Sequence, residues 1–138
     1  MALQQGATNA FATGLMNGVY NFTTSSFKIA LYTGSATLGP DTAVYTSSNE
    51  VVATGYTAGG IALPVSVAPI SANDVTYISF ANVTWYGSIT ARGALIYQDG
   101  GSNPTVCVLD FGSDKTSITS LTIQFPTANS TNAIIRIT

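Results

Sequence analysis

The stretch Thr90–Gln98, reading T-A-R-G-A-L-I-Y-Q, constrains the fold more than any other part of the chain. Ala94, Leu95, Ile96 and Tyr97 are apolar at consecutive positions, and the run closes at the turn Asp99-Gly100-Gly101. Consecutive apolar residues bounded by a glycine turn predict a strand buried on both faces. Such a strand belongs near the middle of a sheet, and the other strand-like runs are rich in β-branched and aromatic residues. The chain is therefore expected to be a sheet protein built around Thr90–Gln98.

The flanking segments supply the rest of that sheet. Phe27–Tyr32 alternates, with Phe27, Ile29 and Leu31 on one face, as a half-buried strand does. Residues 36–49 read as a long polar connection with a turn at Gly39-Pro40-Asp41 and one helical turn around Thr42–Tyr45. Connections of this length in a compact domain are usually functional or interaction surfaces. Glu50–Ala53 reads as a short strand before the glycine-rich Thr54–Gly60. Ile61–Val67 is a strand interrupted by Pro64, hence at an edge or a bulge, and Pro69 ends it. Val75–Phe80 and Val83–Trp85 are two strands or one bent one, with Trp85 in the core. Thr105–Phe111 is apolar on both faces and is broken by Gly112-Ser113-Asp114-Lys115; Ile118–Phe125 alternates, Pro126–Asn132 turns, and Ala133–Thr138 is a last strand.

The only helix signal is Thr8–Tyr20, where Thr8 or Asn9 caps a stripe of Phe11, Leu15 and Val19. Gly14 and Gly18 weaken it by about 1 kcal/mol each relative to Ala. A helix and an extended arm that orders on a neighbour are both compatible with residues 1–20. With seven to nine short strands, the expected fold is all-β: an antiparallel two-sheet sandwich of jelly-roll or Greek-key type over residues 27–138, within a single domain spanning 1–138.

Charge is what the surface lacks. Only 7% of the 138 residues are charged, against about 25% in ordinary domains. Thr, Ser, Asn and Gly carry the polarity, and a hydroxyl with a partner is far cheaper to bury than a charge. Much of the surface is thus suited to lie against other protein. Lys28, Arg92, Lys115 and Arg136 form no basic stripe, which argues against nucleic acid as a partner. No apolar run approaches the ~20 residues of a membrane span, and no basic segment followed by an apolar run marks a secretory signal, so a membrane partner is not expected. The lone Cys107 reads as a buried small hydrophobe, in keeping with synthesis in a reducing cytoplasm.

Catalytic chemistry finds little to work with. The chain has no histidine, which removes the commonest general base, the usual nucleophile pairs and the commonest metal ligand. Asp41, Asp74, Asp99, Asp110 and Asp114 sit in turn-like contexts and read as turn caps. Asp110-Phe111-Gly112 matches the kinase metal-binding tripeptide without the accompanying signatures, and Asp110 and Asp114 lack EF-hand spacing. The glycine-rich Thr54–Gly60 has no phosphate-cradling Lys-Ser/Thr partner. Sequons at Asn21, Asn82 and Asn129 are expected by chance in so Asn- and Thr-rich a chain. No catalytic residue, metal ligand or cofactor site is assigned.

Several segments together resemble a family of small virion structural proteins of tailed bacteriophages and prophages. They are F-K-I-A-L-Y-T-G-S-A-T-L at Phe27–Leu38, Y-T-S-S-N-E-V-V-A-T-G-Y-T-A-G-G at Tyr45–Gly60, I-T-A-R-G-A-L-I-Y at Ile89–Tyr97, V-L-D-F-G-S-D-K-T at Val108–Thr116, and I-Q-F-P-T-A-N-S-T-N-A-I-I-R-I at Ile123–Ile137. The resemblance implies a non-enzymatic capsid cement, or decoration, protein on the outer surface of the virion, synthesised in the host cytoplasm. Its implied partners are the major capsid protein, whose neighbouring subunits it clamps, and itself as a homodimer or trimer. Candidate interface residues are Phe11 and Leu15 of the N-terminal segment together with Tyr32, Tyr45 and Tyr56. The alternative is a tail- or fibre-associated virion protein, such as a receptor- or sugar-binding one, with Trp85, Tyr86 or Tyr56 exposed.

Overall fold

The computed structural model describes residues 3–126, 129 and 134–137. Within them lie ten strands and one helix. In chain order these are β1 (Gly6–Ala7), α1 (Asn9–Asn17), β2 (Phe27–Tyr32), β3 (Ile61–Ala62), β4 (Val65–Ala72), β5 (Val75–Phe80), β6 (Val83–Tyr86), β7 (Thr90–Gln98), β8 (Thr105–Thr116), β9 (Ser120–Ile123) and β10 (Ile135–Ile137). All the strand pairings are antiparallel. A five-stranded sheet has the order β1-β8-β7-β2-β3, and it is accompanied by a three-stranded sheet β10-β5-β4 and a two-stranded sheet β6-β9. The pairing of β7 with β2 skips the four strands between them, so this all-β sandwich is closed by contacts distant in sequence.

β7 is the middle strand of the large sheet, and Ala94, Leu95 and Ile96 are completely buried. Its two faces are covered by different means. On one side Ile29, Leu31, Ala94 and Ile96 pack against Ile78 and Phe80 of β5, Val83 and Trp85 of β6, and Ile123 of β9. This is a sheet-on-sheet core fed by alternating strands. On the other side Ala30, Tyr32, Leu95, Tyr97 and Val108 pack under Ala36 and Leu38 of the 33–49 connection, with Leu3 and Tyr45 at the margin. The backbone of Gln4 donates to the Leu38 carbonyl at 2.9 Å, tying the N-terminal segment to the same cover.

That second cover changes several expectations. β2 is buried on both faces rather than half-buried, because the 33–49 connection folds back over it. The connection has no helical turn at Thr42–Tyr45; isolated bridges Leu3 to Leu38 and Val44 to Pro104 hold it instead. Glu50–Ala53 forms no strand of its own, only a bridge from Glu50 to Tyr32. Pro69 lies within β4 rather than ending it, at a shift in register between Val67 and Ile70. The predicted break at Gly112–Lys115 does not end the strand. Gly112 adopts φ +82° and β8 runs on to Thr116, but its pairing with β7 is interrupted at the expected place: Gly93 faces Asp110 and Ala91 faces Lys115, so residues 111–114 bulge out opposite Arg92. A glycine that admits a bulge lets a strand continue where a turn would have stopped it. Ile118, expected to start a strand, is 87% exposed, and β9 begins only at Ser120. The last predicted strand is present as Ile135–Ile137, while Ala133 and Thr138 lie outside the described residues.

The N-terminal segment is both a strand and a helix. β1 pairs with β8, and α1 follows with Thr8 as its cap, the Thr8 hydroxyl accepting from the Phe11 backbone at 3.1 Å. Gly18 closes the helix at φ +74°. Gly14 is required by packing: a Cβ there would lie 2.3 Å from the Tyr20 ring, which crosses the helix so that its hydroxyl reaches the Thr105 carbonyl at 2.6 Å. Val19 lies past the helix end and is 44% exposed, so the predicted stripe is only Phe11 and Leu15.

Candidate functional site

Two groupings of chemically capable side chains stand out. The first is interior. Glu50, the chain's single glutamate, is 7% exposed and sits where the connection rejoins the sheet, beside the bridge to Tyr32. Its carboxylate accepts from the Tyr45 hydroxyl at 2.5 Å, from the Tyr56 hydroxyl, and from the Gly59 backbone at 2.7 Å. The hydroxyl of Tyr56 in turn accepts from the Leu31 backbone at 2.9 Å. Tyr97 donates to the Gly59 carbonyl and Tyr32 to the Thr46 carbonyl, both at 2.6 Å. The Tyr45 and Tyr97 rings meet with centroids 4.9 Å apart.

Buried carboxylates persist where donors saturate them. Here one Glu50 oxygen is occupied by Tyr45 from the cover and the other by Tyr56 and Gly59 of the 54–60 loop, so the arrangement fastens the cover to that loop. Burial is the main cause that raises the phenols of Tyr32, Tyr45 and Tyr56 above their ordinary value, with Glu50 adding to it, and pushes Tyr97 up to about 12.

The structure therefore brings Tyr32, Tyr45 and Tyr56 together, but facing inward. Tyr32 is fully buried and Phe11 is 3% exposed, so neither side chain offers surface to a partner, contrary to the sequence expectation. Leu15, Tyr45 and Tyr56 are half-buried against the core. A tyrosine reads the same from sequence whether its ring covers a core or a partner, and here the cover and Glu50 decide. The one available signal was Glu50 itself, a lone glutamate directly before Val51-Val52.

The second grouping is on the outside. Val52, Tyr86 and Ile118 are 97%, 76% and 87% exposed; Tyr86 ends β6, and the segments that carry the three are linked by close backbone approaches. The Gly87 backbone donates to the Thr119 carbonyl at 2.9 Å, and the Tyr86 carbonyl approaches Gly55 so closely that a Cβ there would lie 2.1 Å from it. Near this tip hydroxyls pair across strands: Thr84 with Thr122 at 2.8 Å and Thr90 with Thr116 at 3.0 Å. Sequence reasoning singled out Tyr86 but not Val52, and it placed Ile118 in a strand.

The remaining candidates behave as local structure. Trp85 is 2% exposed, within the core. The Cys107 thiol is buried, and that burial pushes it up to about 12. Asp110 caps its own turn by accepting from the Gly112 backbone at 2.9 Å, and its other contact is Arg92 Nε at 3.9 Å. Asn21 and Asn82 of the sequons accept from the backbones of Thr23 and Phe125. Among the described residues no three His, Cys, Asp or Glu side chains gather as metal ligands. Comparison with protein-family models, with curated proteins and with solved structures gives no match.

Proposed function

We propose that the chain is a non-enzymatic virion structural protein that attaches to the outer capsid surface as a cement, bridging neighbouring major capsid subunits. The observation that carries this reading is the tip: Val52, Tyr86 and Ile118 stand in solvent near hydroxyls paired across strands. Large apolar side chains grouped in this way favour contact with protein. The paired hydroxyls beside the tip are cheap to desolvate, because a hydroxyl that keeps its partner costs far less to bury than a charge. The resemblance of the five quoted segments to phage virion proteins supplies the partner.

Self-association adds to attachment. A dimer or trimer on a local symmetry axis multiplies a weak single contact, because each later contact forms at high effective concentration. The tip replaces Phe11 and Tyr32 as the contact surface. In the test, purified protein is added to cognate shells lacking it, and sedimentation and heat-induced shell disruption are followed. Saturable co-sedimentation with delayed disruption supports the reading, and shells that neither bind nor gain resistance rule it out. A Tyr86→Ser protein should keep its fold and bind at least about tenfold more weakly, as loss of one interface aromatic does.

A further inference from the structure

A cleft of about 340 Å³ opens beside the tip, between the 51–53 segment, the Thr33-Gly34 turn and the start of β7. Its polar wall consists of Thr33, Ser88, Thr90, Arg92 and Asp114, and Val51 to Ala53 form an apolar side. We propose that this cleft is a binding site for a neutral saccharide of one or two rings.

The argument rests on what the wall offers. Arg92 offers a donor: its Nε is shielded from solvent and makes no hydrogen bond, and its ion pair with Asp110 Oδ1 spans 3.9 Å. Asp114 is an acceptor, and its Oδ1 lies within 3.7 Å of where a Cβ on Gly34 would stand, on the flank of the Arg92 stem. Ser88 is a hydroxyl on the rim, and Thr90 Oγ1, which pairs with Thr116, keeps a lone pair for a ligand. A guanidinium, a carboxylate and hydroxyls in one cleft match a vicinal diol, because each sugar hydroxyl both donates and accepts. The apolar side suits the C–H face of a pyranose. The charge balance disfavours an anion, since Arg92 is ion-paired with Asp110 and a second carboxylate, Asp114, lines the same cleft. The volume is within the range of small-ligand sites, roughly 300–1,000 Å³.

The cleft shares Val52 with the tip, and its test uses the free chain, so that it can succeed or fail apart from capsid attachment. Amide-resolved NMR would follow titration with the methyl glycosides of glucose, galactose, mannose and N-acetylglucosamine, with acetate and inorganic phosphate as anion probes. At least one glycoside should move the Thr33, Gly34, Ser88, Thr90 and Arg92 amides saturably, with a Kd on the order of millimolar. Asp114→Ala, at an exposed position, should weaken that binding about tenfold while spectral dispersion shows the fold intact. Ser88→Ala serves as a second variant if the first loses dispersion, and its affinity should also fall. The proposal is overturned if no glycoside moves these amides saturably, if acetate or phosphate saturates them instead, or if a folded variant binds as the parent chain does.

Discussion

The two faces of β7 are buried equally well and by opposite means. Ile96 looks into a core of strands that alternate apolar and polar residues, whereas its neighbour Leu95 looks into a cover made from a polar connection and the N-terminal segment. Sheet packing spreads its stabilisation over many apolar contacts. The cover depends on few: Leu38, Ala36 and one saturated carboxylate. The difference teaches that a segment poor in hydrophobic residues can still close a core when a buried polar network fastens it.

The largest expected effect tests the sheet-covered face. Trp85→Ala should cost about 3–5 kcal/mol, the usual range for an aromatic truncated in a core, read as a lower denaturation midpoint for the whole domain. Glu50→Ala should come next, at about 3 kcal/mol, because three donors lose a common acceptor in a buried setting. Its signature differs: amide exchange should rise across residues 43–60 before the sheet core opens. Equal acceleration in β5 and β6 would break the comparison. Gly60→Ala follows, at about 2 kcal/mol or more. Gly60 has φ +80°, and a Cβ would lie 1.8 Å from the Ile29 carbonyl oxygen, so the 57–60 turn must lift from β2.

Alkali should separate the faces as well. Tyr32, Tyr45, Tyr56 and Tyr97 all have folded values above the ordinary 10.0. Groups whose folded values are raised contribute stability that is complete below the unfolded value and is lost as pH climbs through it towards the folded one. Stability should therefore decline from about pH 10 upward, and Tyr97 completes its share near 12. Cys107 adds a share that starts to fall near 9.0. Cys107→Ala should remove only that earlier part of the decline in a pH series of urea midpoints. The smallest effect is expected at the tip: Tyr86→Ser should change stability by no more than about 0.5 kcal/mol, as surface substitutions do, while weakening attachment.

The sheet-covered face was readable in advance. Consecutive apolar residues at Ala94–Tyr97 placed β7 in the centre, and the alternation of Leu121, Ile123 and Phe125 turned those side chains inward. The cover was not readable, because its stability lies in pairings between distant residues such as Gln4 with Leu38 and Tyr97 with Gly59. No local pattern encodes these. The same applies to the outer site: Val52 reads as part of a short strand, Glu50–Ala53, yet the chain turns at Thr54-Gly55 without forming it and Val52 stands in solvent. Gly112 misled for a related reason, since a glycine that ends a strand and one that bulges it are the same letter.

Attachment is tested most directly by cryo-electron microscopy of the intact particle carrying this protein. The account predicts density of this size repeated over the outer capsid, with the Val52, Tyr86 and Ile118 end seated on the major capsid protein. Density confined to the tail, or a particle without this protein, would contradict it.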